Sequence, residues 1–582
     1  MAYFNGMRQY CIKNSLDMDP EDVKLIQKNH MKKLKHVLSL LFLKQLSSEI
    51  TIKYLETLDS YIDIFLYLYQ KLLYSAGFPV FEKGRVMSSN QGTNNTIVFN
   101  CIIPSYEQFP RDLHLQTLNM ASHILTKICQ SNEADQRELA YHIEEYITLK
   151  YVIKINSKIS SSTFYILRYA FNNKIPITAL GNSLFQIGNG KNSTLISGSS
   201  TSADSAIGAR VACDKYICNN LLRQAGIPIP AQMIYRNQSE KSWNSPVFDF
   251  PVVVKPHDRE RGEGVIVNIL DEIELKRAVR KTFKISNSVV VEEQITGVCH
   301  RIHIINNKFV AAWRRNPPSV TGNGCSSIAQ LINERQAKRQ NKASLLVSDK
   351  KFDEITIKTL EMQNLNLDTV LKKGIKVNFK PFNDPSWGGS IDMMSENIHP
   401  ENIAVAERIS RILRLNNVGI DFMSSDISIP WQNNNARVIE ANYAPLSDGL
   451  DMSILFKSMI NENGIIPIKV FVGGNAAIEN AKNFWEQMTD GIFLTNNVCF
   501  DKRLNNVPLF GNNLYEKCKS LLIDVGTIAL ICVVNSSEWM ESGSPFNQEV
   551  EVIDSNDALY DEEDLKNQPK KIKLIELLNG FR

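Results

Sequence analysis

Apolar residues recur at helical spacing between residues 20 and 75, with Val37, Leu38, Leu41, Phe42 and Leu46 in one set and Ile62, Phe65, Leu66 and Leu68 in a second. No Gly or Pro interrupts residues 21–76, so the spacing predicts a helical N-terminal region. The pattern then shortens to β-rich runs between Pro79 and Ile103, such as 97-IVFNCII-103, and 112-DLHLQTLNMASHILTKI-128 returns to a helical period. Residues 1–160 are expected to form an α+β domain, and no catalytic constellation stands out in it.

From about Ser161 the pattern alternates, a helical 164-FYILRYAFNNKIP-176 preceding the strand-like 177-ITALGNSLFQIGNG-190, which suits an α/β architecture. After the polar run 192–206, the segment 208-GARVACDKYICNNLLRQAGIPIP-230 reads as one amphipathic helix closed by Gly226 and Pro228, with Lys215 in its first turns. A polar stretch at about 329–380 interrupts the alternation and is expected to be an inserted helical subdomain, a candidate mobile lid. Beyond Gly464, strands are expected at 466–474, 520–525 and 528–534, with a helix at 477–488. The fold class is therefore α/β, in an α+β multidomain arrangement of 1–160, 161–463 and 464–582.

Size and composition agree with this division. A chain of 582 residues exceeds what one core can organise. Hydrophobic and charged shares of 43% and 22% are those of a globular protein and exclude a disordered or fibrous one. With 65 basic against 62 acidic residues, no global field recruits nucleic acid or an anionic membrane, so anion binding has to be local. The ten cysteines show neither a CxxC pair nor zinc-ligand spacing and read as reduced thiols. The N-terminus lacks a signal pattern, and the apolar stretch Val37 to Leu46, broken by Lys44, is too short to span a bilayer. A cytoplasmic address is expected.

The chemistry concentrates in the middle of the chain. In 251-PVVVKPHDRERGEGVIV-267, Lys255 ends an apolar strand and a turn with Gly262 and Gly264 follows. Glycines let backbone N–H groups approach phosphate oxygens, and a strand-end lysine supplies fixed positive charge. A charged β-turn between antiparallel strands explains the same residues. In 289-VVVEEQITGVCHRIHII-305, Glu292 and Glu293 end a buried strand and can accept from an adenine amino group, or else lie on a solvated hairpin. The strand 309-FVAAWRRNPPSV-320 carries Arg314 and Arg315, whose forks suit phosphate oxygens. In 418-VGIDFMSSDIS-428 and 437-RVIEANYAP-445, Asp421, Glu440 and Asn442 converge if the two strands are neighbours, offering hard oxygen ligands for Mg²⁺.

The ordered set 214-DK-215, 253-VVKP-256, the glycine loop, 292-EEQITG-297, 419-GID-421 and 439-IEANYAP-445 resembles the ATP-grasp superfamily. More narrowly, 203-ADSAIGARVACDKYICNNLLRQAGIPIP-230, 311-AAWRRNPPSVTGNG-324 and 387-WGGSIDMMSENIHPEN-402 resemble the cyanophycin synthetase family, a likeness that covers most of the first 460 residues. The resemblance implies an ATP-grasp fold with an α+β N-terminal domain and a small C-terminal α/β unit. It implies an ATP- and Mg²⁺-dependent carboxylate–amine ligase working through an acyl phosphate. Lys215 and Lys255 would hold phosphates under the 258–265 loop, with Glu292, Glu293 and the backbone near Ile295 around adenine. Asp421, Glu440 and Asn442 would hold Mg²⁺, and Arg301 and Arg315 would contact phosphate or acid substrate. Substrate selection would lie around Ser205, Gly389 and Ser390.

The sequence departs from the family in three places: Cys299 replaces an expected acid, Arg259 a common glycine, and 472-VGGNAAIEN-480 lacks the Lys-Ser/Thr of a P-loop. A second ATP-dependent activity is accordingly expected to be absent. The partners expected are amino acid or peptide substrates and further copies of the chain as a homo-oligomer, without nucleic acid or membrane. A nucleotide- or peptide-binding relative without turnover is the alternative reading.

Overall fold

The computed structural model describes residues 11–18, 37, 61–91, 97–105, 111–130, 136–147, 159–236, 243, 245–259, 262–340, 352–381, 389–445, 452–460, 462–503, 505–509, 511, 513–534 and 544–554. Of the helical region expected over 20–75, residues 20–60 therefore lie, Val37 apart, outside the described residues, as do Glu260, Arg261, Trp387 and Gly388. Two compact units divide the chain: Met1–Gly198 with Met459–Arg582, and Ser199–Ser458. Residues 161–198, grouped in the sequence with the central segment, fall in the first unit.

The first unit begins with strand β1 (Cys11–Met18), helix α1 (Tyr61–Ser75), β2 (Arg85–Gln91) and β3 (Ile97–Pro104), the strands ordered β1-β3-β2 and antiparallel. Helices α2 (Arg111–Gln130), α3 (Gln136–Ile147) and α4 (Ser161–Asn172) follow, then the antiparallel strands β4 (Ile177–Gly181), β5 (Leu184–Ile187) and β6 (Thr194–Ser197). Ser160 caps α4 by accepting from the Thr163 amide. Helix α1 is mostly apolar, and residues 64–73, Gln70 and Lys71 among them, are all buried.

The second unit opens with α5 (Ala206–Cys213) and α6 (Lys215–Gln224), two helices where the pattern predicted one. Asp214 causes the break: its side chain turns back to accept from the amides of Tyr216 and Ile217, which requires an extended backbone at that residue. A four-stranded sheet comes next, built from β7 (Gln232–Tyr235), β8 (Val252–Pro256), β9 (Ile266–Ile269) and β10 (Val289–Glu293) in the antiparallel order β9-β8-β10-β7, with α7 (Glu272–Thr282) on one face. Val252, Val254, Val289 and Val291 pack beneath Leu275 and Val279.

A five-stranded antiparallel sheet follows. It comprises β11 (Val298–Ile305), β12 (Lys308–Asn316), β15 (Ser390–Met393), β16 (Asn417–Ser424) and β17 (Arg437–Tyr443), ordered β15-β12-β11-β16-β17. Between β12 and β15 lie the paired strands β13 (Ser319–Thr321) and β14 (Lys376–Asn378) and the helices α8 (Ile328–Gln340) and α9 (Glu354–Glu361). Val320, Ile332, Leu360, Leu371 and Phe379 give this insertion a core of its own. Helix α10 (Pro400–Leu413) packs with α5 and α6 against Ile302, Ile304, Ile420, Phe422 and Val438 of the large sheet.

The remaining strands of the first unit are β18 (Ile468–Val472), β19 (Ile492–Leu494), β20 (Cys499–Phe500), β21 (Leu530–Val534) and β22 (Glu551–Asp554), ordered β20-β19-β21-β18-β22. Its inner pairs are parallel. One face meets α11 (Asn475–Gln487) through Ala477, Ala481 and Trp485; the other meets α12 (Leu514–Ile523) through Leu514, Cys518 and Leu521. The strand expected at 520–525 is thus mostly the end of α12. The apolar residues Leu514, Cys518, Leu521 and Leu522 recur at 4, 7 and 8, a helical period that the short run 520–525 conceals.

Candidate active site

Two sheets of the second unit each turn one face to their helices and leave the other for polar chemistry. In β8 and β10, Val252, Val254, Val289 and Val291 take the core side, so Val253, Lys255, Val290 and Glu292 share the opposite face. Lys255 is paired with Val290 and Glu292 with Val253, a diagonal that lets the side chains meet at 2.7 Å. Both are almost fully buried, and Glu292 Oε2 has no hydrogen-bond partner. A buried acceptor left open fits a ligand's amino group.

In the large sheet the face opposite the core carries Cys299, Arg301 and His303 of β11, Arg315 of β12, Gly419 and Asp421 of β16, and Glu440 and Asn442 of β17. Asp421 stands opposite Glu440 and Gly419 opposite Asn442, yet Phe422 pairs with Val438. The extra residue, Ile439, is a β-bulge. It shifts the alternation of β17 so that Val438 points into the core while Glu440 and Asn442 join Asp421 on the polar face.

Arg301 grips Asp421 with two bonds, Nε to Oδ1 at 2.6 Å and Nη2 to Oδ2 at 3.0 Å, and Arg315 Nη1 stands 3.5 Å from the same carboxylate. Asn442 Nδ2 donates to Asp421 Oδ2 at 3.3 Å. Burial alone would raise the Asp421 pKa, but the two guanidiniums and these hydrogen bonds hold it down at about 2. Gly419 makes the grip feasible, since a Cβ there would stand 2.9 Å from Arg301 Nη1 and 2.9 Å from Pro445 Cβ. Burial, then Asp421, pushes the Cys299 thiol far up, so it is a neutral group beside these charges.

Lys215, the first residue of α6, donates from Nζ to Glu440 Oε1 at 2.5 Å. Four cations, Lys215, Lys255, Arg301 and Arg315, thus pair with three carboxylates, Glu292, Asp421 and Glu440. Among the described residues no three His, Cys, Asp or Glu converge in metal-site geometry, because the third oxygen donor beside Asp421 and Glu440 is the amide Asn442.

The other predicted residues surround this set less directly. Gly262 and Gly264 lie in the β8–β9 connection at φ of 70° and 73°, a conformation glycine adopts without strain. Since β8 and β9 are antiparallel, the turn is a hairpin. Arg259 donates to the Ile285 carbonyl from Nε and Nη2 at 3.2 and 2.9 Å and so ties the hairpin down. Glu293 Oε2 accepts from the Ala231 amide at 3.4 Å, and half-buried Ile295 follows β10. Ser205 caps α5 by accepting from the Gly208 amide at 3.0 Å. Gly389 precedes and Ser390 begins the edge strand β15, where Ser390 pairs with Asn316.

Residues 212–323 match the family model of the RimK-like ATP-grasp domain. The second unit carries an ATP-grasp domain. The match runs from the end of α5 through β13, so it contains Lys215, Lys255, Glu292, Arg301 and Arg315, while Asp421, Glu440 and Asn442 lie beyond its end. The chain is 30% identical to the cyanophycin synthetase of Geminocystis herdmanii over 376 residues, which is 64% of this chain and 42% of that protein. The glutathione biosynthesis bifunctional protein of Clostridium perfringens is 27% identical over 250 residues, 42% of this chain and 32% of the relative. The chain therefore spans less than half the length of the relatives it matches. A crystal structure of a bifunctional glutathione synthetase from Pasteurella multocida is similar at TM-score 0.38 and 20% identity, covering 57% of this chain and 48% of that one.

Sequence reasoning missed the partners that position this ATP-grasp site: the Asp214 cap, the Ile439 bulge, the space over Gly419 and His303. His303 Nε2 donates to Asn417 Oδ1 at 2.8 Å, and its buried Nδ1 has no partner. Only the first had a local signal, an Asp beside Lys215 within an apparent helix.

Proposed function

We propose that the chain is an ATP-dependent ligase that joins a carboxylate of an amino acid or small peptide to an amine. The observation that carries this reading is the pairing, on the polar faces of two sheets of one unit, of Lys255 with Glu292 and of Lys215, Arg301 and Arg315 with Glu440 and Asp421, beside which Asn442 stands. Every charge in the set is matched by an opposite one, so these residues would take up ATP and Mg²⁺ by exchanging partners and not as bare charges. Lys215 and Lys255 transfer from Glu440 and Glu292 to phosphate oxygens, and the freed Glu292 accepts from the adenine amino group. Asp421, Glu440 and Asn442 present hard oxygens that fit Mg²⁺, which when bound neutralises phosphate charge.

The acid substrate's carboxylate oxygen then attacks the γ-phosphorus, ADP leaves, and an acyl phosphate forms. An amine attacks the acyl carbon, loses a proton, and releases phosphate as the amide bond closes. Arg301 and Arg315 stabilise the charge that develops on the transferring phosphoryl group and the acyl oxygen. Ser205, Gly389 and Ser390 border the part of the unit assigned to substrate selection, and the hairpin with Gly262 and Gly264 covers the phosphates.

Purified chain incubated with ATP, Mg²⁺ and amino acid mixtures should release ADP and phosphate only when acid and amine are both present, with the amide detected by mass spectrometry. Nucleotide binding that no acceptor mixture converts to turnover would overturn the ligase reading and leave a binding protein.

A further inference from the structure

Outside the ATP-grasp domain, the first unit holds two cations that no acid balances among the described residues. Lys71 lies in the buried stretch 64–73 of α1 and is only 5% exposed. Its Nζ rests 5.1 Å from the Tyr67 ring centroid and 5.6 Å from that of Tyr74. Arg168 comes from α4 and donates through Nη1 to the Tyr74 hydroxyl at 3.0 Å. One tyrosine therefore receives an ammonium on its ring and a guanidinium on its hydroxyl. Among the described residues neither cation has a carboxylate partner, and Asp63 on the same helix is bound to Lys83 at 2.5 Å. Edge contacts from Phe164 and Phe81, with centroids 5.0 and 6.3 Å away, hold the Tyr74 ring in place.

Burying an ammonium is costly, and aromatic faces offset only part of the cost. Placing a second cation nearby adds repulsion; burial and then Arg168 push the Lys71 pKa down to about 8. A purely structural lysine gains nothing from such surroundings, since Met or Leu fills the same space without the penalty. Tyr74 and Arg168 are only half-buried, so solvent reaches the guanidinium side of this arrangement while Lys71 lies behind it.

We propose that Lys71, Arg168 and the Tyr74 hydroxyl form a binding site for a small oxyanion, a carboxylate or a phosphate group, held between α1 and α4. The anion accepts from the ammonium and from the fork of the guanidinium, supplying the charge that the described residues lack there. This site is independent of the nucleotide chemistry assigned to the second unit.

Equilibrium dialysis of the full chain against radiolabelled phosphate, and in a second arm radiolabelled acetate, tests the proposal and separates the two sources. The wild type should show a saturable site that Lys71→Met lacks, that Arg168→Gln weakens at least tenfold, and that Lys71→Arg partly retains. In buffer free of oxyanions, Lys71→Met should melt no lower than the wild type, and added anion should raise the midpoint of the wild type alone. Equal binding by the wild type and both Lys71→Met and Arg168→Gln, or no saturable site for either anion, would overturn it. Since Arg168 is half-exposed, its variant keeps the test decisive if Lys71→Met does not fold.

Discussion

At the scale of single residues, the ATP-grasp site stores its charges as pairs, so removing one partner and removing both have opposite consequences. Lys255→Met leaves Glu292 buried and unpaired, which should cost about 3–5 kcal/mol. Lys255→Met combined with Glu292→Leu removes both charges and should regain most of that stability while leaving ATP binding lost. Denaturant unfolding compared with nucleotide titration checks the pair of outcomes. His303 offers a second prediction, because burial, with a smaller push from Arg301, lowers its pKa from 6.5 to about 4. The unfolded chain binds its proton more readily, so this contribution to stability is fully present above pH 6.5 and lost as pH falls toward 4, at most on the order of 3 kcal/mol. His303→Gln keeps a donor for Asn417 without titrating, and melting midpoints measured across this window should fall less steeply than in the wild type. The residue types at the site were legible in the sequence, since lysines, acids and glycines announce their chemistry. Their pairing was not, because diagonal neighbours across strands depend on register.

At the scale of elements, the side chains are aimed by interruptions in regular structure. Asp214 ends one helix and starts another, which places Lys215 at a helix start within reach of Glu440. Asp214→Ala removes an acceptor for the amides of Tyr216 and Ile217 and should cost about 1 kcal/mol, as N-cap losses do. Its larger effect should be on catalysis, as a raised KM for ATP with a smaller change in kcat, because Lys215 loses its fixed origin and not its charge. Steady-state kinetics separates this from general destabilisation, which would lower the active fraction without moving KM. The Ile439 bulge works similarly in β17, converting a register that would bury Glu440 into one that presents it. Apolar periodicity located most strands and helices correctly, since burial imposes the period. It read α5 and α6 as one helix because a cap is a local hydrogen bond that leaves the apolar period unbroken, and it took part of α12 for a strand because a six-residue window cannot separate the two periods.

At the scale of the whole molecule, the question is how many centres consume ATP. The ATP-grasp site belongs to the second unit, whereas the parallel sheet of the first unit offers another strand–glycine–helix passage, from β18 through Gly474 to α11. Strand order made that passage visible in the structure; its chemistry was already readable in 472-VGGNAAIEN-480, where no lysine follows the glycines. A helix start without that cation lacks the fixed charge that holds β- and γ-phosphates during transfer. Glu440→Ala in the full chain should therefore abolish all amine-dependent ADP release, a loss of at least about 10²–10³-fold, because Glu440 belongs to the one set of residues proposed to hold phosphate and Mg²⁺. A melting midpoint near that of the wild type would show that the fold survives. Turnover that persists in this variant, with the same dependence on acid and amine, would place a second ATP-consuming centre elsewhere in the chain. The sheet of the first unit would then be the place to look, and Gly474→Val the substitution to separate it from the ATP-grasp site.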